Sequence, residues 1–250
     1  MKLKKIKNTL LVVLTLALVS VASVAITYAL VENSLGSATN EFTNETISVQ
    51  LSEVKWDGEK GPNDTDADIP ADGQKGQQIA QSYSAGQSIP KNPKLSNTSD
   101  TSAAATADPQ EWVAIKATYS ATAVVGGVST TYTYTNYADF LAATGAQVHS
   151  AVTAADGFNT TDWEAKNANN TVFYYKAKLD NGASTATLFD TIEMKALATD
   201  ANGKYKIRDD SGIEVLADAL PTFEIKLEGF AVQAEAVDYD TAKTELDKLM

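Results

Sequence analysis

Residues 111–137 constrain the fold most. Val113, Ile115, Ala117 and Tyr119 alternate, and Gly126-Gly127 separates them from a second run, Thr130-Thr131-Tyr132-Thr133-Tyr134-Thr135. A period of two buries one face of a strand, and a glycine pair supplies the positive φ angles of a two-residue turn. The spacing predicts a β-hairpin whose second arm is strongly β-prone through branching and aromaticity. The same alternation at Ile47, Val49 and Leu51 predicts another strand, and Val54 and Trp56 continue it in the opposite phase, as across a bulge. Further strands are expected over residues 171–179, 188–198, 205–208 and 222–237. Short helices are expected over 137–143 and 238–250, the latter with Ala242, Leu246 and Leu249 at helical spacing behind Asp240 as a cap. Residues 57–72, rich in Gly, Pro, Asp and Asn, read as an exposed acidic loop, and 86–93 and 97–108 as turn-like. Many short strands without long intervening helices point to an all-β, antiparallel β-sandwich with a few short helices.

The N-terminus reads as an address. Four lysines and no acid lie in residues 1–29, and residues 10–29 carry no charge at all. A basic start before an apolar run marks an export signal. The run is about 20 residues, close to the length of a membrane span. Thr27-Tyr28-Ala29 places small residues before a cut after Ala29, so residues 1–29 are expected to be a cleaved signal peptide, with a retained transmembrane helix as the alternative. Residues 30–250 then form one exported domain, headed by a flexible polar segment over 30–44. Membrane contact is expected only through the N-terminal helix.

The chain carries 20 basic against 32 acidic residues, a formal net charge of −12. Without residues 1–29 the balance is 16 against 32, or −16. Nucleic acid is an improbable partner for so acidic a protein, because binding it needs a basic stripe. With no cysteine there is no disulfide framework, thiolate metal site or cysteine nucleophile, and one histidine, His149, leaves no two-histidine zinc motif.

Five segments together resemble a known family. They are the basic signal ending Thr-Tyr-Ala with Asn40-Glu41-Phe42-Thr43 and the strand after it, and the run from Gly86 through Ile89, Lys91-Asn92-Pro93-Lys94 to Asn97-Thr98. With them go Phe173-Tyr174-Tyr175-Lys176 and Thr187-Leu188-Phe189-Asp190-Thr191-Ile192, and then Phe223-Glu224-Ile225-Lys226 with Ala231-Val232-Gln233-Ala234. In this order they resemble the TasA/camelysin family, exported proteins of Gram-positive bacteria whose signals are cut by a dedicated signal peptidase. The resemblance implies a jelly-roll-like sandwich, export, and assembly at the cell surface or in a biofilm matrix. It also implies, as in the family's fibre formers, that the mature N-terminal segment inserts as a strand into the next copy. Here that strand would be residues 30–51, with Leu35, Phe42, Ile47, Val49 and Leu51 as its apolar positions. Unpaired sheet edges accept such strands, and head-to-tail exchange propagates into filaments. The partners expected are therefore other copies of the chain, and the signal peptidase during export.

Two further readings stand beside this fibre subunit. One is a monomeric surface adhesin or ligand-binding module that uses the acidic loop or the arm of Tyr132, Tyr134 and Tyr137. The other is a camelysin-like metalloprotease, which the residues disfavour: His149 lies among small and apolar neighbours without a second histidine one helical turn away. No enzymatic activity and no cofactor are expected. The nearest metal motif is Asp64-x-Asp66-x-Asp68, whose alternate carboxylates could converge on calcium, but Ile69 and Lys75 stand where an EF-hand needs Gly and Glu.

Overall fold

The computed structural model describes residues 47–99 and 109–250. A strand, β1 (Val49–Ser52), leads into one helical turn, α1 (Val54–Asp57), and a second turn, α2 (Gly76–Ile79), follows. Then come β2 (Ser88–Pro90), β3 (Lys94–Asn97), the fifteen-residue β4 (Glu111–Val125) and β5 (Val128–Tyr134). Helix α3 (Tyr137–Thr144) precedes β6 (Ala146–Ser150), β7 (Ala155–Asp156), β8 (Trp163–Ala165) and β9 (Val172–Tyr175). The chain closes with β10 (Thr191–Met194), β11 (Tyr205–Arg208), β12 (Glu214–Ala217), β13 (Thr222–Gln233) and α4 (Tyr239–Leu249). The protein is thus mostly β, with antiparallel sheets and few, short helices.

The hairpin forms as its alternation predicts. Val125 pairs with Val128 across Gly126 and Gly127, whose φ angles of 58° and 80° are the left-handed pair that a type I′ turn needs. Strand β4 organises the larger sheet, in the order β13-β4-β9-β8. Along one side it pairs with β13 from Glu111 to Thr122, and along the other first with β9 and then with β5. A second sheet runs β2-β10-β6-β7, β11 and β12 pair as a separate ribbon, and β1 pairs with β3. Backbone bonds from Asn97 N–H to Ala183 and from Thr185 N–H to Leu95 tie β3 to the segment entering β10.

One apolar core draws on both sheets. Val113, Ile115 and Tyr119 of β4 and Phe173 of β9 meet Ile89, Val148 and Ile192 from β2, β6 and β10, with Phe140 of α3 among them. Residues two apart share a face, so the other face of β4 presents Trp112 and Ala114, which α4 covers with Ala242 and Leu246.

Several expectations are corrected. Val54 and Trp56 do not extend the first strand across a bulge. They belong to α1, which Gly58 ends in the left-handed conformation by donating its N–H to Val54 O at 3.0 Å. Residues 86–93 are not turn-like throughout, since β2 lies within them, and Asn97 belongs to β3. The cap of α4 is Asp238, which accepts from Thr241 N–H at 2.8 Å, so Asp240 does not cap it. Leu249 is 53 % exposed and does not join Ala242 and Leu246 in the interior.

Candidate assembly edge

Strand β13 lies at the end of its sheet. It pairs with β4 over all twelve residues, and among the described residues no backbone group bonds to its other side. Its inner face sets Phe223, Ile225, Leu227 and Ala231 against the core, while Glu224 and Lys226 stand exposed on the other face. Lys226 Nζ lies 3.0 Å from Glu228 Oε1. Exposed charges of this kind discourage casual edge-to-edge pairing and leave the edge to a partner that fits it.

The described chain begins at one end of this edge. Ser48 N–H donates to Glu111 Oε1 at 3.2 Å, and Glu111 is paired with Gln233, the last residue of β13. Ser99 Oγ donates to the same carboxylate oxygen. Glu111 is completely buried, and its Oε2 has no hydrogen-bond partner among the described residues. Burial raises its carboxyl above the ordinary range, against the opposing pull of the Ser99 and Ser48 hydrogen bonds. The alternation around Val113 marks position 111 as inward-facing, but nothing in the sequence announces a buried acid that clasps two segments far away along the chain.

The expected exchange strand is divided by the structure. Val49 and Leu51 pair with Asn97 and Leu95 of the chain's own β3 and pack on its core, and Ile47, 36 % exposed, precedes them. Strand β1 therefore belongs to its own domain, because one of its edges is paired with β3 and the face of Val49 and Leu51 packs on the core. Leu35, Phe42, the polar segment 30–44, the apolar run 10–29 and the cut at Ala29 lie outside the described residues. Among the described residues no helix is long and apolar enough to cross a membrane.

The three aspartates of the loop are not brought together. Asp64 is drawn inward, its side chain 2 % exposed, where it pairs with Lys94 Nζ and accepts from Gly61 N–H at 2.8 Å. Asp66 pairs instead with Lys60 at 2.7 Å, which lowers its pKa. Asp68 accepts from Thr65 N–H at 2.7 Å and from the Thr65 hydroxyl, and these bonds lower its pKa as well. Each carboxylate thus has a separate local partner. Among the described residues no three His, Asp or Glu side chains converge into a metal-sized group.

Both lysines of Lys91-Asn92-Pro93-Lys94 are held in ion pairs, the buried Lys91 with Glu53 at 2.6 Å and the half-buried Lys94 with Asp64. Lys91 also lies 4.4 Å from the centre of the Trp56 ring. This short stretch therefore fastens α1 and the acidic loop to β3. The tyrosine arm does not form an open platform: Tyr134 and Tyr137 are buried against Phe140, and Tyr132 is half-buried. His149 sits on β6, with Nδ1 3.7 Å from Asp156 Oδ1. No protein-family model, curated protein or solved structure matches the chain.

Proposed function

We propose that the chain is an exported structural subunit of the cell surface or extracellular matrix, built as a jelly-roll-like sandwich, which assembles into fibres by strand addition between copies. The observation that carries this reading is the twelve-residue β13, whose outer edge has no backbone partner among the described residues. An extended peptide laid along such an edge gains a ladder of main-chain hydrogen bonds, and its alternate side chains give specificity. The occupant is the segment 30–44 of another copy, with Leu35 and Phe42 as its apolar anchors. Fifteen residues at about 3.3 Å each are long enough to follow β13 from end to end. Since Val49 and Leu51 are engaged at home, the exchanged part ends before Ile47. The reading assigns the protein no catalysis and no cofactor, and its partners are further copies and, during export, a signal peptidase.

Electron microscopy and sedimentation of the protein beginning at Leu30 test it. Filaments, or concentration-dependent oligomers, should form and should vanish on deletion of residues 30–44 while the remaining domain stays folded. A folded monomer at every concentration, with or without the segment, would refute it and favour a monomeric adhesin.

A further inference from the structure

The core reaches solvent where strands β7 and β8 end the two sheets. A cavity of about 280 Å³ opens there between them. Tyr137, Phe158, Trp163 and Phe173 line its depth. Phe158, at 8 %, is the most exposed of the buried side chains in that core. Volumes of about 300–1,000 Å³ are usual for small-molecule sites, so this one has room for about one ring.

The rim is polar, and its hydrogen-bonding capacity is largely unused. Asn170 is held at φ 53°, with its carbonyl accepting from Tyr119 OH, and its side-chain amide has no partner among the described residues. The Thr160 hydroxyl is likewise unengaged, its carbonyl being the group that accepts from Lys176. Asp156 is 57 % exposed. His149 and Lys195 lie 3.7 Å and 4.0 Å from its two oxygens, too far to occupy its lone pairs. Asn159, by contrast, is fully committed, donating to Asp162 and Thr187 and accepting from the N–H groups of Thr161 and Asp162. Ala154, next to the rim residues Thr153 and Ala155, also has a positive φ of 50°. Two non-glycine residues in this sparsely populated region beside one cavity are the kind of strain that gathers at ligand sites.

We propose that this cavity binds one neutral saccharide unit. A sugar ring offers an apolar C–H surface to aromatic side chains and hydroxyls that both donate and accept, which suits a carboxylate, an amide and a hydroxyl on one rim. A metal ion would find a single carboxylate there, since no three His, Asp or Glu side chains converge among the described residues, and an anion is repelled by Asp156. The site is independent of the β13 edge.

Heteronuclear NMR of the protein, titrated separately with glucose, galactose and N-acetylglucosamine, tests the assignment. At least one sugar should give saturable shifts centred on residues 153–173. Asn170→Gly, which removes the amide at a φ that glycine adopts freely, and Asp156→Ala, at an exposed site, should each weaken binding about tenfold, the effect of one or two lost hydrogen bonds. Both variants should keep the wild-type spectrum elsewhere. Absence of saturable shifts at this cavity with all three sugars, or shifts that survive both substitutions, would overturn the proposal. Shifts that follow protein concentration instead of sugar would overturn it too, by identifying a second copy as the occupant.

Discussion

Leu95 of β3 rests against the bare Cα of Gly229 in β13: a Cβ added at 229 would stand 2.5 Å from Leu95 Cδ2. Leu95 is fully buried, so its methyl group has little space to retreat into. The contact holds the β1–β3 ribbon against the strand whose outer edge has no backbone partner among the described residues. Gly229→Ala should therefore cost about 1–3 kcal/mol as an over-packing change. On a Leu95→Ala background, where the methyl groups are gone, the added cost should fall close to zero. Urea denaturation of the two single variants and the double variant measures the coupling, and additive losses would show that the two residues do not meet.

Lys94 and Asp64 form the most enclosed ion pair that involves the acidic loop, with side chains 14 % and 2 % exposed. Removing one partner leaves the other charge buried and unpaired, so Lys94→Met should cost about 3–5 kcal/mol. Adding Asp64→Asn should recover most of that, because the charge disappears while an acceptor for Gly61 N–H remains. Lys60→Met, which breaks only the exposed pair with Asp66, should change stability by about 0–1 kcal/mol. Thermal unfolding of the three variants ranks them, and equal effects for Lys94→Met and Lys60→Met would contradict the burial argument.

These elements were legible to different degrees in the sequence. The β4–β5 hairpin was readable because alternation and Gly126-Gly127 are local signals that agree with the tertiary structure. Strand β3 was not, since Lys94-Leu95-Ser96-Asn97 lacks β-branched residues and buries Ser96 and Asn97. Asn97 is tolerated there because its amide donates to Pro109 O and Leu179 O, partners remote in sequence. Trp56 kept the apolar spacing of a strand, while Gly58, two residues on, turned the chain into a helical cap. The open edge of β13 was illegible for a different reason: alternation marks a strand but does not say how many neighbours it has. The cavity beside β7 and β8 gathers side chains from α3, β8, β9 and the loops between them, so no single segment of sequence carries its signature.

Glu111 should make stability depend on pH in the direction opposite to most carboxylates. Its pKa is raised by burial, so the folded state holds the proton more tightly than the unfolded chain does. Its contribution is therefore most favourable below the unfolded value of 4.5 and is lost as pH rises through the raised folded value. Glu111→Gln keeps an acceptor for Ser48 N–H and removes the charge. It should be neutral relative to wild type near pH 4 and more stable than wild type near pH 8. Chemical denaturation across that range checks the trend; a difference independent of pH would mean that Glu111 titrates alike in both states.

Association should also respond to acid, through the whole surface instead of one residue. Residues 30–250 carry a formal charge of −16, and copies brought together by strand addition at β13 must approach against that repulsion. Mild acidification protonates part of the 32 carboxylates and should speed or strengthen assembly. Added salt at neutral pH should act in the same direction, because at about 0.15 M it screens exposed charges beyond about 8 Å. Short-range strand pairing is left intact by either treatment. Deletion of residues 30–44 separates this assembly from simple precipitation: the truncated protein should remain monomeric at the same pH and salt. Sedimentation velocity between pH 7.5 and 5, with and without salt, measures the response. A profile flat in both variables would show that repulsion does not limit the encounter, while acid-induced aggregation that persists in the truncated protein would place the contact outside the N-terminal segment.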